Sequence, residues 1–372
     1  MHSESEHREP PLRVHGGVDD AELTALGVDP ATVVDASTSV NPYGPVPAVV
    51  RAIRDAAIAR YPDPACTAAR AALAGRCGVA PARVVLGNGA TDLLWTVARV
   101  LLAPGDAAVV CEPAFSELAA AVVHAGATVV ACRARAEEGF RDDPAVAVDL
   151  ARRTGARVVA LCTPASPTGT LVRAQRLAAL AAATPDLFFV LDQSFLALCT
   201  HAEDSTVPMP DNVVCVRSLT KEHAIPGVRV GYLIAPPALA ARVASARPAW
   251  TVGSAAQAAA VAAVAADDAV AEVRARLLRE AAALAGALAE LGYPILPSET
   301  TYFVVSVGDG AAFRRALLCG HGVLVRDCAS FGMPAWVRVG ARGGDDARRI
   351  VAAFAALASA FASRAARAAE HA

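Results

Sequence analysis

Lysine is almost missing from this chain. Of its 34 basic residues one is lysine, Lys221, and the rest are arginine. Aromatic residues are scarce, at 5%. Nine cysteines are scattered singly, with no C-x-x-C pair. An odd number of isolated thiols in a long chain argues against a disulfide framework and reads as reduced, mostly buried small residues. No metal site is expected from them. Apolar runs such as "AAQAAAVAAVAADDAV" are broken by charge, and none approaches the roughly 20 apolar residues of a membrane span. The opening "MHSESEHREPPLRVHGG" is polar and acidic, without the apolar core of a signal peptide. A net charge of -2 gives no general pull toward nucleic acid or an anionic membrane. The expectation is a cytoplasmic protein whose partner is a small molecule, not nucleic acid or membrane.

The missing lysines make the remaining one informative. Arginine supplies surface charge equally well and serves salt bridges and phosphate contacts better through its planar fork. It does not lose its proton to attack a carbonyl, whereas a lysine amine does. Lys221 stands in "VRSLTKEHAIPGVRVGY", Val216 to Tyr232.

What the chain does have is length and alternation. Its 372 residues are enough for two domains, and no repeat is evident. The first 44 residues read as an N-terminal arm, carrying "HGG" and the turn-rich "NPYGPVP". Residues 45–255 read as a large domain. There six short β-branched runs, "ARVVLGN", "DAAVVCEP", "ARVVALCTP", "LFFVLDQ", "NVVCVRS" and "RVGYLIAP", are interspersed with alanine-rich helical patterns. This alternation predicts an α/β fold with an open, mainly parallel sheet between helices, its functional residues at the carboxyl ends of the strands. Residues 256–372 change character: long helices, then "TYFVVSV", "GVLVRDC" and "AWVRVGA", then a terminal helix. They read as a smaller α+β domain.

Several residues around Lys221 have matching chemistry. "GNGATD" follows a strand and opens a helix, so backbone N–H groups near Ala90 and the Thr91 hydroxyl face an anion there. Ser218 and Thr220 flank the lysine and Arg229 follows it by eight residues, a set able to hold a phosphate. Asp192 ends the strand "LFFVLD", where a carboxylate can pair with a protonated pyridine nitrogen.

In this order the segments resemble a known family. The chain resembles fold-type I pyridoxal-phosphate enzymes of the aminotransferase superfamily, within the group that holds threonine-phosphate decarboxylase and histidinol-phosphate aminotransferase. The resemblance rests on "HGG", "NPYGP", "RYPDP", "GNGATD", "EPAFSE", "LCTPASPTG", "LDQSF", "RSLTKEHAIPGVRVGYL" and "VLVRDC". It implies pyridoxal 5'-phosphate as cofactor, joined to Lys221 as a Schiff base, with Asp192 on the pyridine nitrogen and Phe115 on the ring face. Ala90, Thr91, Ser218 and Arg229 would cradle its phosphate. Tyr61 would reach the phosphate of a neighbouring subunit, implying a homodimer with shared sites. Arg338 would bind a substrate carboxylate, with Arg326, Arg342, His15 and Asn41 as further contacts to an anionic amino acid. The reaction most resembled is decarboxylation of L-threonine O-3-phosphate. The alternatives are Cβ or Cγ elimination, substitution or carbon–carbon bond formation in specialised metabolism, and class I/II transamination.

The chain departs from the family at several points. Ser166 stands where an asparagine usually bonds the cofactor's phenolic oxygen. Gln193 and Ser194 replace the usual pair after Asp192, and Gly253 replaces an asparagine. Glu222 and His223 replace an aromatic pair after the lysine, which makes His223 a candidate acid or base.

Overall fold

The computed structural model describes residues 16–370, with side chains to residue 358. A short strand β1 (Val34–Asp35) precedes a seven-stranded sheet of β2 (Val84–Gly87), β3 (Ala107–Glu112), β4 (Thr128–Arg133), β5 (Val158–Cys162), β6 (Phe188–Asp192), β7 (Val213–Ser218) and β8 (Gly231–Ile234). The order is β2-β8-β7-β6-β5-β3-β4. β8 runs antiparallel to both neighbours, and every other pairing is parallel. Six of these strands coincide with the apolar runs of the sequence. The seventh, β4, forms one edge.

Helices cover both faces, which is why β5 and β7 are buried at every position and lack a polar alternation. One face packs Val110, Val190 and Val216 against Leu93, Leu94 and Val97 of the helix Gly89–Leu101. The other packs Val109, Leu161 and Phe189 against Leu177 and Val148.

Four further strands complete the chain: β9 (Tyr302–Ser306), β10 (Val323–Leu324), β11 (Arg326–Asp327) and β12 (Trp336–Gly340). β11, β12 and β9 form an antiparallel sheet in that order. β10 instead pairs in parallel with β1. The run "GVLVRDC" therefore serves two sheets, breaking at Val325. Phe303, Phe313 and Phe354 pack with Leu284 and Leu288 of the 24-residue helix Asp267–Glu290 into a separate core.

Residues 36–41 stitch the two units together. Ala36 N–H donates to Leu324 at 2.8 Å, Gly340 N–H to Ala36 at 2.8 Å, and Asn41 N–H to the Lys221 carbonyl at 3.0 Å. The expected arm thus carries a strand of the smaller unit and a clamp on the lysine turn. No helix among the described residues is long and apolar enough to cross a membrane.

Candidate active site

The carboxyl ends of β2, β5, β6 and β7 converge on a cavity of about 440 Å³. Lys221 lines it from the turn after β7, as do Asp192, Ser218, Ala90, Thr91, Arg229, Phe115, Ser166, Arg326 and Arg338. Residues far apart in sequence meet because parallel strands deliver their ends to one edge of the sheet.

The lysine turn is held from several sides. Ile225 N–H donates to Thr220 at 3.1 Å, and the Ser218 and Thr220 hydroxyls share a hydrogen bond of 2.7 Å. Asn41 clamps the backbone, its Nδ2 reaching the Glu222 carbonyl at 3.2 Å. The Lys221 ammonium lies 5.7 Å from the centre of the Phe195 ring. Burial lowers the lysine to about 8, helped by Arg338 and Arg229 and opposed by Asp192 and Glu222. A neutral amine is therefore populated near neutrality.

Asp192 is buried. Its carboxylate accepts from Ser194 N–H at 2.9 Å and has a longer contact of 3.9 Å with the Cys162 thiol. Burial raises its pKa despite these bonds and the Lys221 charge. A carboxylate so desolvated is suited to a cationic N–H partner.

At the other end of the cavity the helix Gly89–Leu101 begins. Gly89 has φ +81°, and a Cβ there would lie 2.6 Å from Arg229 Nη2. Gly231 lets the chains close up, since its Cβ would meet Ala90 N at 2.7 Å. These glycines bring the Arg229 guanidinium and the helix N-terminus together, an anion cradle.

Arg338 on β12 crosses into the cavity and is buried. Its Nη1 donates to Ser166 Oγ at 2.9 Å and its Nη2 to the Ser37 carbonyl at 2.8 Å. Its Nε has no hydrogen-bond partner among the described residues, and burial pushes its pKa down. Arg326 on β11 is likewise buried and lowered, first by burial and then by Arg338. It donates to Ser330 Oγ at 2.7 Å.

Three comparisons bear on this arrangement. The family described as aminotransferase class I and II matches residues 31–354. Histidinol-phosphate aminotransferase 2 of Ralstonia nicotianae is 36% identical over 328 residues, covering 84% of this chain and 86% of that protein. The chain belongs to the class I and II aminotransferases. Among solved structures, histidinol-phosphate aminotransferase from Sinorhizobium meliloti with pyridoxal-5'-phosphate is similar at TM-score 0.83 and 24% identity, covering 95% of this chain and 98% of that one. L-threonine-O-3-phosphate decarboxylase from Porphyromonas gingivalis is similar at TM-score 0.76 and 24% identity, covering 87% and 98%. At that identity both show the fold alone.

The aminotransferase is thus a fold-type I, pyridoxal-phosphate enzyme, and its cavity fits that cofactor. A helix N-terminus with Thr91, Ser218 and Arg229 suits the phosphate, the buried Asp192 the ring nitrogen, and the lone lysine the aldehyde. Phe115, Asp192 and Lys221 line one continuous space with them.

Other expected residues are placed elsewhere. His223 is a correction. It is 1% exposed, does not line the cavity, and both its ring nitrogens lack a hydrogen-bond partner. Burial lowers it to about 4, so it is neutral and sealed away from the cavity. Arg342 is spent on the arm, donating to the carbonyls of Ala341, Asp35 and Thr38. Asn41 holds backbone and does not line the cavity. Tyr61 is 76% exposed, stacked on Trp250 at 4.5 Å and outside its own chain's cavity. His15 lies outside the described residues.

Sequence reasoning missed Thr38, Ser39 and Phe331, which also line the cavity. The polar run "STS" between an apolar pair and "NPYG" was the available signal for the first two. Nothing local marked Phe331.

Proposed function

We propose that this enzyme transaminates an amine bearing an anionic group, a phosphate or a second carboxylate. The observation that carries the reading is Arg338, a buried guanidinium held on two sides by Ser166 and Ser37 with Nε unpartnered. A planar fork fixed in this way retains a substrate carboxylate instead of releasing it. That favours loss of the α-proton over loss of carbon dioxide. The relatives named histidinol-phosphate aminotransferase support the same choice, so the sequence-based expectation of a decarboxylase gives way to its transamination alternative.

When bound, pyridoxal phosphate supplies a carbonyl for the amine and an electron sink for the α-carbon. The chain's residues then divide the work. Asp192 would accept the hydrogen bond of the ring nitrogen's proton, and Ser218, Thr91 and Arg229 would hold the phosphate. Lys221, neutral in part at physiological pH, would take the α-proton and return it to the cofactor carbon that carried the aldehyde oxygen. Arg338 would orient the carboxylate, and Arg326, beside it, would read the second anionic group. Tyr61, exposed with Ile58 and Trp250 on one chain, would meet a partner subunit's site in a homodimer.

The test is product analysis with 2-oxoglutarate as acceptor and L-histidinol phosphate, L-aspartate or L-threonine O-3-phosphate as donor. Glutamate formation with every donor carbon retained supports the reading. Carbon dioxide release without glutamate overturns it. Sedimentation of the loaded enzyme tests the dimer.

A further inference from the structure

Asp35 ends β1, and its half-buried carboxylate organises the loop that follows. Oδ1 accepts from Ser37 N–H at 2.8 Å, from the Ser37 hydroxyl at 2.6 Å and from Thr38 N–H at 3.3 Å. Oδ2 accepts from the Thr38 hydroxyl at 3.1 Å. An aspartate that bonds the backbone two residues on closes an Asx turn. Here the turn fixes the direction of one peptide. The Thr38 N–H and the Ser37 carbonyl belong to the same planar unit, which is trans, so they point to opposite sides. Asp35 holds the N–H side. Arg338 Nη2 donates to the carbonyl side at 2.8 Å.

The loop is pressed onto the strand that carries Arg338. Gly340 N–H on β12 donates to the Ala36 carbonyl at 2.8 Å, and a Cβ at Gly340 would lie 2.6 Å from the Thr38 carbonyl oxygen. From the arm, Gly17 N–H donates to Ser37 Oγ at 2.8 Å, and a Cβ at Gly16 would lie 2.7 Å from the Ser37 carbonyl oxygen. The glycines of "HGG" thus acquire a physical role, since a side chain at Gly16 would push into the arginine's acceptor. Ser37 is 2% exposed, so water competes little for that carbonyl.

We propose that Asp35 is a positioning residue for the reaction: through the Ser37–Thr38 peptide it fixes the Arg338 fork in the orientation that grips a substrate carboxylate. Asp35 does not line the cavity, whereas Arg338 does, so the aspartate acts through the arginine. Ser166 and Ser37 are the two anchors that set the guanidinium plane. Without the Asp35 bonds the Ser37 carbonyl is free to turn, and one anchor remains. The bonds also run in one direction, from guanidinium to carbonyl and from the N–H of the same peptide to the carboxylate, so each polarises the next.

This inference rests on the reading of Arg338 as the holder of a carboxylate, and its test does not use turnover. The dissociation constant of succinate is read from the visible absorption of the full-length enzyme loaded with pyridoxal phosphate, in a double-mutant cycle of Asp35→Ala and Arg338→Met. Asp35→Ala should weaken succinate about tenfold, as for groups in one hydrogen-bond network. Asp35→Asn, whose amide oxygen still accepts from the two N–H groups, should recover most of that loss. In the Arg338→Met background Asp35→Ala should add less than about twofold. A purely structural aspartate would lower affinity equally with and without Arg338. Equal losses overturn the proposal, as do an unchanged affinity in Asp35→Ala and a wild type that does not bind succinate. Should Asp35→Ala not fold, Ser37→Ala removes the 2.6 Å hydroxyl bond and keeps the carbonyl. A loss of about threefold that depends on Arg338 is then expected, and no loss, or the same loss without Arg338, overturns the proposal. Absent transamination with this coupling intact would remove the proposed reaction and leave the positioning of Arg338 standing.

Discussion

Arg326 and Arg338 stand opposite one another as registered neighbours of β11 and β12. Both line the cavity, and like charges placed directly across a strand pair repel. Burial lowers the pKa of both guanidiniums, and the Arg338 charge lowers that of Arg326 further. An anion placed between the two guanidiniums would relieve that repulsion.

Binding of a dianion should therefore stabilise the fold. Inorganic phosphate or a dicarboxylate at 100 times its dissociation constant is expected to add about 2.7 kcal/mol. Thermal melting with increasing ligand checks this, and Arg326→Gln should remove most of the gain.

Replacing Arg338 by methionine should lower kcat/KM by about 10²–10³, since truncating one partner of a buried charge pair costs about 2–5 kcal/mol. Arg338→Lys should recover little, because an ammonium does not reproduce the planar fork held by Ser166 and Ser37. Steady-state kinetics, with cofactor content measured for each variant, decides it.

Arginine at position 221 should cost about 10³-fold or more in turnover while leaving the melting temperature near that of wild type. The side chain is only partly buried, and its contact with the Phe195 ring is one that a guanidinium can also make. Single-turnover assays and circular dichroism separate the two effects.

The pH dependence of stability should show opposing contributions. Glu222 is raised to about 7 from 4.5, so the folded state binds its proton more tightly than the unfolded one. Stability falls as pH rises through that window, by about 3 kcal/mol in all. His223 is depressed to about 4 from 6.5, and its contribution is lost as pH falls through 6.5 toward 4. In wild type the two largely cancel between these limits. Glu222→Gln should be more stable than wild type above pH 7 and lose stability more steeply in acid. Denaturant titrations across pH would expose a wrong sign.

Arg342 should matter for stability and not for substrate. Methionine there leaves the carbonyls of Asp35, Thr38 and Ala341 without their donor, at a cost of about 1–3 kcal/mol. A lower melting temperature with unchanged KM is expected. A raised KM with normal stability would return Arg342 to the substrate.

Much of the site was legible because its chemistry is carried by residue type. A sole lysine among arginines, an aspartate closing an apolar strand and glycines opening a helix announce themselves locally. Edge strand β4 was passed over because its residues are only half-buried, and such a strand lacks the apolar run that marks its neighbours. The division of "GVLVRDC" between β10 and β11 depends on which strand each residue finds opposite: β10 meets β1 near the start of the described chain, and β11 meets β12 just beyond the run itself.

His223 shows the limit most clearly. Its identity and its position two residues after Lys221 made it a plausible acid or base, yet packing buries the side chain away from the cavity. The sequence by itself determined the α/β class and the order of the segments that line the cavity, because these follow from local pattern and residue type. The tertiary structure alone decided which arginines face the cavity and which hold the arm, and that Glu222 and His223 point away from it. Those outcomes depend on strand register and on the direction of a single turn, which are set by packing between distant parts of the chain.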